Sequence, residues 1–175
     1  MKIWVSSLAK VYDTAARAQP SRAVSLLSPG DIFPQIDGVD DHHKIHMHDI
    51  RAPQEGHVTP GETHVAELIE FLKSWSPDNP LLIHCWAGIS RSTATAFIAA
   101  CLHNPDADEM AIAMSLKAAS PTAFPNTLIA AHADKILKRN GRMTAAVEEI
   151  CADKERAERV SREMEGMPFH IPAHF

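Results

Sequence analysis

The sequence predicts an α/β fold, a three-layer sandwich in which a central, mainly parallel sheet of four to five strands is flanked by helices. Three observations predict it. Short apolar runs of strand length alternate with segments of helical periodicity, as in chains that pass repeatedly from a sheet to a covering helix. One run, Leu81–Cys85, stays apolar until His84, the pattern of a strand covered on both faces. Apolar residues make up 45% of the 175 positions, enough for one core in a chain of this length.

Taken in order, strands are expected at Ile3–Leu8, Ala23–Leu27, Lys44–His48 and Leu81–Cys85. Thr59-Pro60-Gly61-Glu62 reads as a capping box with proline at the first helical position, so a helix is expected to start there. Val65, Leu68, Ile69, Leu72 and Trp75 would line its inner face, with Glu67, Glu70 and Lys73 outside, until Ser76-Pro77 stops it. From Ser90 to Leu102 the apolar residues Ala94, Phe97, Ile98 and Cys101 fall nearly all round, which predicts a helix buried in mid-domain. Asn104-Pro105 ends it and opens another, to about Ala119. Pro121 and Pro125 bracket a loop, after which Leu128, Ile129, Ala133, Ile136 and Leu137 mark a helix ending near Asn140-Gly141. A last helix is expected over about Arg142–Glu165. Its stripe is Met143, Ala146, Val147 and Ile150, and its charged second half is expected to be solvated or to meet a partner. Residues 1–141 therefore read as the main domain, and residues 142–175 as a helix and tail packed on it.

Charge and cysteine content exclude several classes. Seventeen Lys and Arg against 22 Asp and Glu give a net charge of −5, with no basic stripe for nucleic acid or an anionic membrane. The chain lacks an apolar run long enough to span a bilayer, and its first segment turns polar too soon for a signal peptide, so a cytoplasmic location is expected. Cys85, Cys101 and Cys151 lack Cys-x-x-Cys spacing; neither a disulfide framework nor a zinc site is expected. His42, His43, His46 and His48 raise a metal site, with His46 and His48 sharing a strand face. No matching cysteine or carboxylate set accompanies them, and neither a metal nor another cofactor is expected.

The informative segment runs from Cys85 at the end of the buried strand to Arg91 at the start of the buried helix. In so tight a loop, successive backbone N–H groups can point inward, and Gly88 permits the angles this needs. Trp86, Ala87, Gly88, Ile89, Ser90 and Arg91 are thus expected to cradle an anion, helped by the positive end of the following helix. Cations and helix N-termini favour the thiolate of a cysteine, which makes Cys85 a candidate nucleophile. Arg91 offers a planar fork that fits two phosphate oxygens. Ser92 can donate its hydroxyl to the sulfur, and His84 is expected to orient the loop. The leaving oxygen needs an acid, and Asp49 is placed for it: it follows the neighbouring strand and opens a loop containing Pro53, Gly56 and Pro60. Asp40, Asp41, Glu55 and Glu62 are its rivals; the first two precede the strand, and Glu62 has a capping role. Alone, a cysteine after an apolar strand is usually a core residue. Arg91 in the same loop, followed by Ser92, reverses that reading.

These residues resemble the protein tyrosine phosphatase superfamily, whose signature His-Cys-x5-Arg-Ser/Thr is matched by His84, Cys85, Arg91 and Ser92. The position of Asp49, and Pro125-Asn126 ahead of a helix, are similar to a compact bacterial branch of small dual-specificity phosphatases, over roughly residues 20–138. The resemblance implies the cysteine-phosphatase fold, with residues 1–141 as catalytic domain. It implies Cys85 as nucleophile, Arg91 as phosphate clamp, Asp49 as general acid and Ser92 as thiolate stabiliser. Asn126 would prop the phosphate loop, or else simply cap its helix. The implied substrates are proteins bearing phosphotyrosine, alone or with phosphoserine and phosphothreonine, and the site would also take phosphate, sulfate or vanadate. A non-protein phosphoester such as a phosphoinositide or nucleotide is the enzymatic alternative. A catalytically silent phosphoprotein-binding module is the non-enzymatic one.

Overall fold

Leu81–Cys85 is the middle strand of the sheet, flanked on both sides and buried along its whole length. The computed structural model describes residues 2–39, 41–153 and 165–175. In chain order these form β1 (Lys2–Ser7), α1 (Val11–Ala18), β2 (Arg22–Leu27), β3 (Asp41–His46), α2 (Glu62–Lys73), β4 (Leu81–Cys85), α3 (Arg91–His103), α4 (Glu109–Ala119), α5 (Thr127–Ile136), α6 (Arg142–Cys151) and β5 (Phe169–Pro172). The sheet order is β3-β2-β4-β1-β5. Its first four strands are parallel, and β5 runs antiparallel along β1, from Lys2 opposite Pro172 to Val5 opposite Phe169.

Strand alternation assigns the two faces. Ile3, Val5, Val24, Leu26, Leu81 and Ile83 point into the larger core, against α2 to α6. Ala23 and Leu82 point the other way, onto Val11 and Ala15 of α1 and onto Ile36. Among the described residues the sandwich is therefore lopsided, five helices against one. Within the larger layer α3 is buried from Arg91 to Cys101, because it lies between the sheet and its neighbouring helices.

Several elements differ from the sequence expectations. The third strand is Asp41–His46, so His48 lies beyond it and does not share a strand face with His46. Instead the His48 Nδ1 accepts the Val58 N–H at 2.9 Å, and the His46 ring donates to the Ser28 carbonyl at 3.1 Å. Among the described residues no group of three or more His, Cys, Asp or Glu could hold a metal ion. Helix α2 starts after Thr59 and Pro60, with Gly61 as its N-cap. The Gly61 N–H donates to His64 Nδ1 at 3.1 Å, so His64 does what a capping glutamate would do. Glu62 has no capping role; it pairs with Lys135 at 2.6 Å. Helix α1 and strand β5 carry too few large apolar residues to announce themselves, and both exist because the sheet offers them a face or an edge. The final helix is described to Cys151, and the expectation for its second half falls largely on 154–164, outside the described residues. No helix among the described residues is long and apolar enough to cross a membrane.

Candidate active site

Parallel strands bring three chain segments to one level: Ser7 at the end of β1 and Leu26 near the end of β2 both lie opposite Cys85. Ligands of such sheets bind at these carboxyl ends. Cys85 is 1% exposed, and residues 86–90 link it to α3. The loop is tight against its support. Gly88 has φ +74°, and a Cβ there would fall 2.7 Å from the Ser7 nitrogen and 2.8 Å from the Ser6 carbonyl carbon, so only glycine fits.

The carbonyls of this loop are held from outside. Leu8 N–H donates to Trp86 O at 3.0 Å, Gly166 N–H to Ala87 O at 2.8 Å, Phe124 N–H to Ile89 O at 2.9 Å and Asn126 N–H to Ser90 O at 3.3 Å. In a trans peptide the carbonyl of one residue and the N–H of the next point opposite ways. Holding the carbonyls outward therefore turns the following N–H groups inward, which is the geometry of an anion nest. The Gly88 N–H is seen to point this way, donating to Cys85 Sγ at 3.2 Å. Ser92, in the first turn of α3, places its Oγ 3.1 Å from the same sulfur and can donate to a thiolate there.

Arg91 is 4% exposed and reaches across the sheet end: its Nη1 donates to Met47 O at 2.7 Å and to Ser28 Oγ at 3.4 Å. Its Nε is buried and makes no hydrogen bond, with Asp49 Oδ2 at 3.8 Å. A buried donor left so costs about 1–3 kcal/mol, and an anion in the cradle would supply its partner. Asp49 stands at the rim with its side chain 36% exposed. Ser90 Oγ donates to its Oδ1 at 2.6 Å, and Asn126 Nδ2 donates to the same oxygen at 2.9 Å and to Ile50 O at 3.1 Å. Asn126 also caps α5, its Oδ1 accepting from the N–H groups of Leu128 and Ile129 at 3.1 and 3.2 Å. It is at once a cap and a tie between the Asp49 loop and the loop from 85 to 91. The rival Asp41 starts β3, at the far end of the sheet, and pairs with Arg22 at 2.8 Å; Asp40 lies outside the described residues.

Behind Cys85 lies a relay that the sequence did not reveal. The Ser25 hydroxyl hydrogen-bonds both His84 Nε2 and, at 2.6 Å, His42 Nε2. His84 Nδ1 lies 3.4 Å from the Cys85 carbonyl, which can only accept, so Nδ1 carries the proton and Nε2 accepts from Ser25. Ser25 Oγ must then accept from His42 Nε2–H. Burial pushes the pKa of His84 down to about 4, the Cys85 carbonyl opposes this, and the charges of His42 and Arg91 reinforce it. Burial, followed by Lys44 and His43, lowers His42 likewise to about 4. Both rings are neutral at neutral pH. Ser25 sits in an apolar strand run, and only the register that sets it opposite His84 discloses its role.

Of the other loop residues, Trp86 is 53% exposed at the rim and Ile89 is buried. Cys101 is remote from this chemistry: burial, then Glu109, pushes its thiol up, so it stays protonated.

Three comparisons bear on this arrangement. The family model described as Protein-tyrosine phosphatase matches residues 35–119, just under half of the chain. The human protein DUSP28 has a similar structure, with a TM-score of 0.60 at 19% identity over 79% of this chain and 92% of its own. A mouse putative dual specificity phosphatase, solved with zinc tungstate, gives 0.59 at 20% identity over 82% of this chain and 86% of its own. DUSP15 gives 0.58 at 20% identity over 84% and 90%. These likenesses show the cysteine-phosphatase fold. No curated protein sequence matches the chain.

Proposed function

We propose that this chain is a cysteine-dependent phosphatase of the protein tyrosine and dual-specificity type, a reading supported by the family model and the fold, and that it hydrolyses phosphate monoesters through a phosphocysteine at Cys85. One observation carries this reading: the Cys85 sulfur is held between the Ser92 hydroxyl and the Gly88 N–H, at the start of a loop that ends on a buried arginine whose Nε makes no hydrogen bond. That is a nucleophile inside an anion site.

The thiolate attacks phosphorus in line, and the P–O bond to the leaving group breaks as Asp49 gives its proton to the departing oxygen. Water then attacks the phosphocysteine while the Asp49 carboxylate takes its proton, the S–P bond breaks, and Ser92 receives the returning thiolate. Arg91 keeps its charge throughout and grips the phosphoryl oxygens. The substrate class is phosphotyrosine, or phosphotyrosine together with phosphoserine and phosphothreonine, in proteins. The family description and the dual specificity phosphatase among the structural relatives support that choice. The mouse relative was solved in complex with zinc tungstate, which supports oxyanions such as phosphate, sulfate or vanadate as ligands of this cradle. A cytoplasmic location, where thiols stay reduced, suits the chemistry.

Turnover of para-nitrophenyl phosphate tests the mechanism. Wild type should be active and insensitive to chelators, and Cys85→Ser should lose at least about 10⁴-fold in kcat. Comparable activity in the two proteins would end the reading. A panel of phosphopeptides, a phosphoinositide and a nucleotide then ranks the substrate classes, and a folded wild type inert to all of them would be a phosphate-binding module.

A further inference from the structure

We infer that the C-terminal tail is a working part of the phosphate loop, and that Gly166 is a positioning residue holding the Ala87–Gly88 peptide so that its N–H faces the Cys85 sulfur. The inference rests on the reading of residues 85–91 as the cradle and names a part of it that lies far outside the signature and outside residues 35–119.

Two bonds define the geometry. Gly166 N–H takes the Ala87 carbonyl at 2.8 Å, and on the other side of the same peptide Gly88 N–H meets Cys85 Sγ at 3.2 Å. Because these groups are antiparallel across one trans unit, fixing the first aims the second. Gly88 is the loop residue freest to rotate, having no side chain and a left-handed φ, so the peptide most able to flip is the one the tail holds.

The contact is flush. A Cβ on Gly166 would lie 3.1 Å from Gly88 O, 3.3 Å from Ile89 Cγ1 and 3.3 Å from Thr122 Oγ1. Ser6 and Ser7 press on Gly88 from β1, so the loop is gripped between that strand and the tail. Gly166 itself is anchored on both sides. Before it, Glu165 accepts from Ser7 Oγ at 2.6 Å and lies 4.0 Å from Lys10 Nζ. After it, β5 pairs with β1, and Asn104 binds the Ala173 carbonyl at 2.8 Å and the Phe175 N–H at 2.9 Å. Tail docking and cradle geometry are thus coupled through one peptide.

Two substitutions test this. Gly166→Pro removes the N–H donor, and Gly166→Ala keeps it but presses a methyl on Gly88 O. Both are read by vanadate affinity and by the pH profile of Cys85 alkylation with iodoacetate, with circular dichroism and Tm confirming the fold. Gly166→Pro should weaken vanadate binding about 10-fold or more, move the alkylation midpoint upward, and lower kcat more than it changes KM. Gly166→Ala should act in the same direction by about 3-fold or more. A folded Gly166→Pro protein with wild-type vanadate affinity and alkylation profile would overturn the inference. If that variant does not fold, Gly166→Ala decides on the same two readouts. Neither readout needs turnover, so an inactive wild type would sink the proposed reaction without deciding the role of the tail.

Discussion

The two ends of α3 hold the same kinds of residue in opposite conditions. At its C-terminal end Glu109, 2% exposed, accepts from Arg139 Nη1 at 3.0 Å and from Arg142 Nε at 2.9 Å. Arg139 also donates to Pro105 O at 2.8 Å and to Cys101 O at 2.6 Å, where its charge complements the negative end of the helix. Nearby Asp134 accepts the N–H groups of Gly141 and Thr144 at 2.7 and 3.0 Å. Burial alone would raise the Glu109 carboxyl; the guanidiniums of Arg142 and Arg139 overcome it and hold the group below the usual range. At the N-terminal end Arg91 opposes the positive helix end, leaves its Nε without a bond, and faces a carboxylate at the rim. Charges that complete one another join α4, α5 and α6. Charges left incomplete mark a place for a third party.

The sharpest way to break this contrast is to neutralise one acid at each end. Asp49→Asn should lower kcat about 10²–10⁴-fold, equivalent to about 3–5 kcal/mol in the barrier, and leave Tm nearly unchanged. Stopped-flow and thermal melts would check both halves of that statement. Glu109→Ala should do the reverse, costing about 3–5 kcal/mol of stability in urea titrations because two arginines lose a buried partner, while kcat of the folded fraction holds. A large drop in kcat for Glu109→Ala, or in Tm for Asp49→Asn, would erase the distinction.

A smaller effect comes from the neutral relay behind Cys85. His84 and His42 have folded-state values near 4 against an ordinary 6.5, so the unfolded chain binds protons that the folded one refuses. Their contribution is complete above about pH 6.5 and is lost as pH falls from there toward 4. Because His42 is half-buried, the loss should be on the order of 2 kcal/mol. Urea midpoints at pH 7 and pH 5 would measure it, and identical midpoints would mean that the rings are not held neutral.

How much of this was legible in advance follows the range of the interactions. Leu81–Cys85, the loop and the first turn of α3 are contiguous, so their apolar run, glycine and cysteine-to-arginine spacing could be read directly. Asp49 was legible as a carboxylate leaving a strand beside that loop, although the strand itself ends earlier, at His46. Asn126 was legible as a cap, while its second bond, to Asp49, joins segments distant in the chain. Ser25 carried no signal, and His42 stood out only as one of four clustered histidines, since a serine among apolar neighbours becomes a bridge only when the sheet register sets it opposite His84.

By itself, then, the sequence determined the α/β alternation and the loop from 85 to 91, because strand period, helix period and the steric demands of a tight turn act between near neighbours. The tertiary structure alone decided which donors hold that loop open. Leu8, the Phe124–Asn126 segment and Gly166 reach its carbonyls from three separate stretches of chain, and no local pattern distinguishes a backbone N–H that will find such a partner from one that will not.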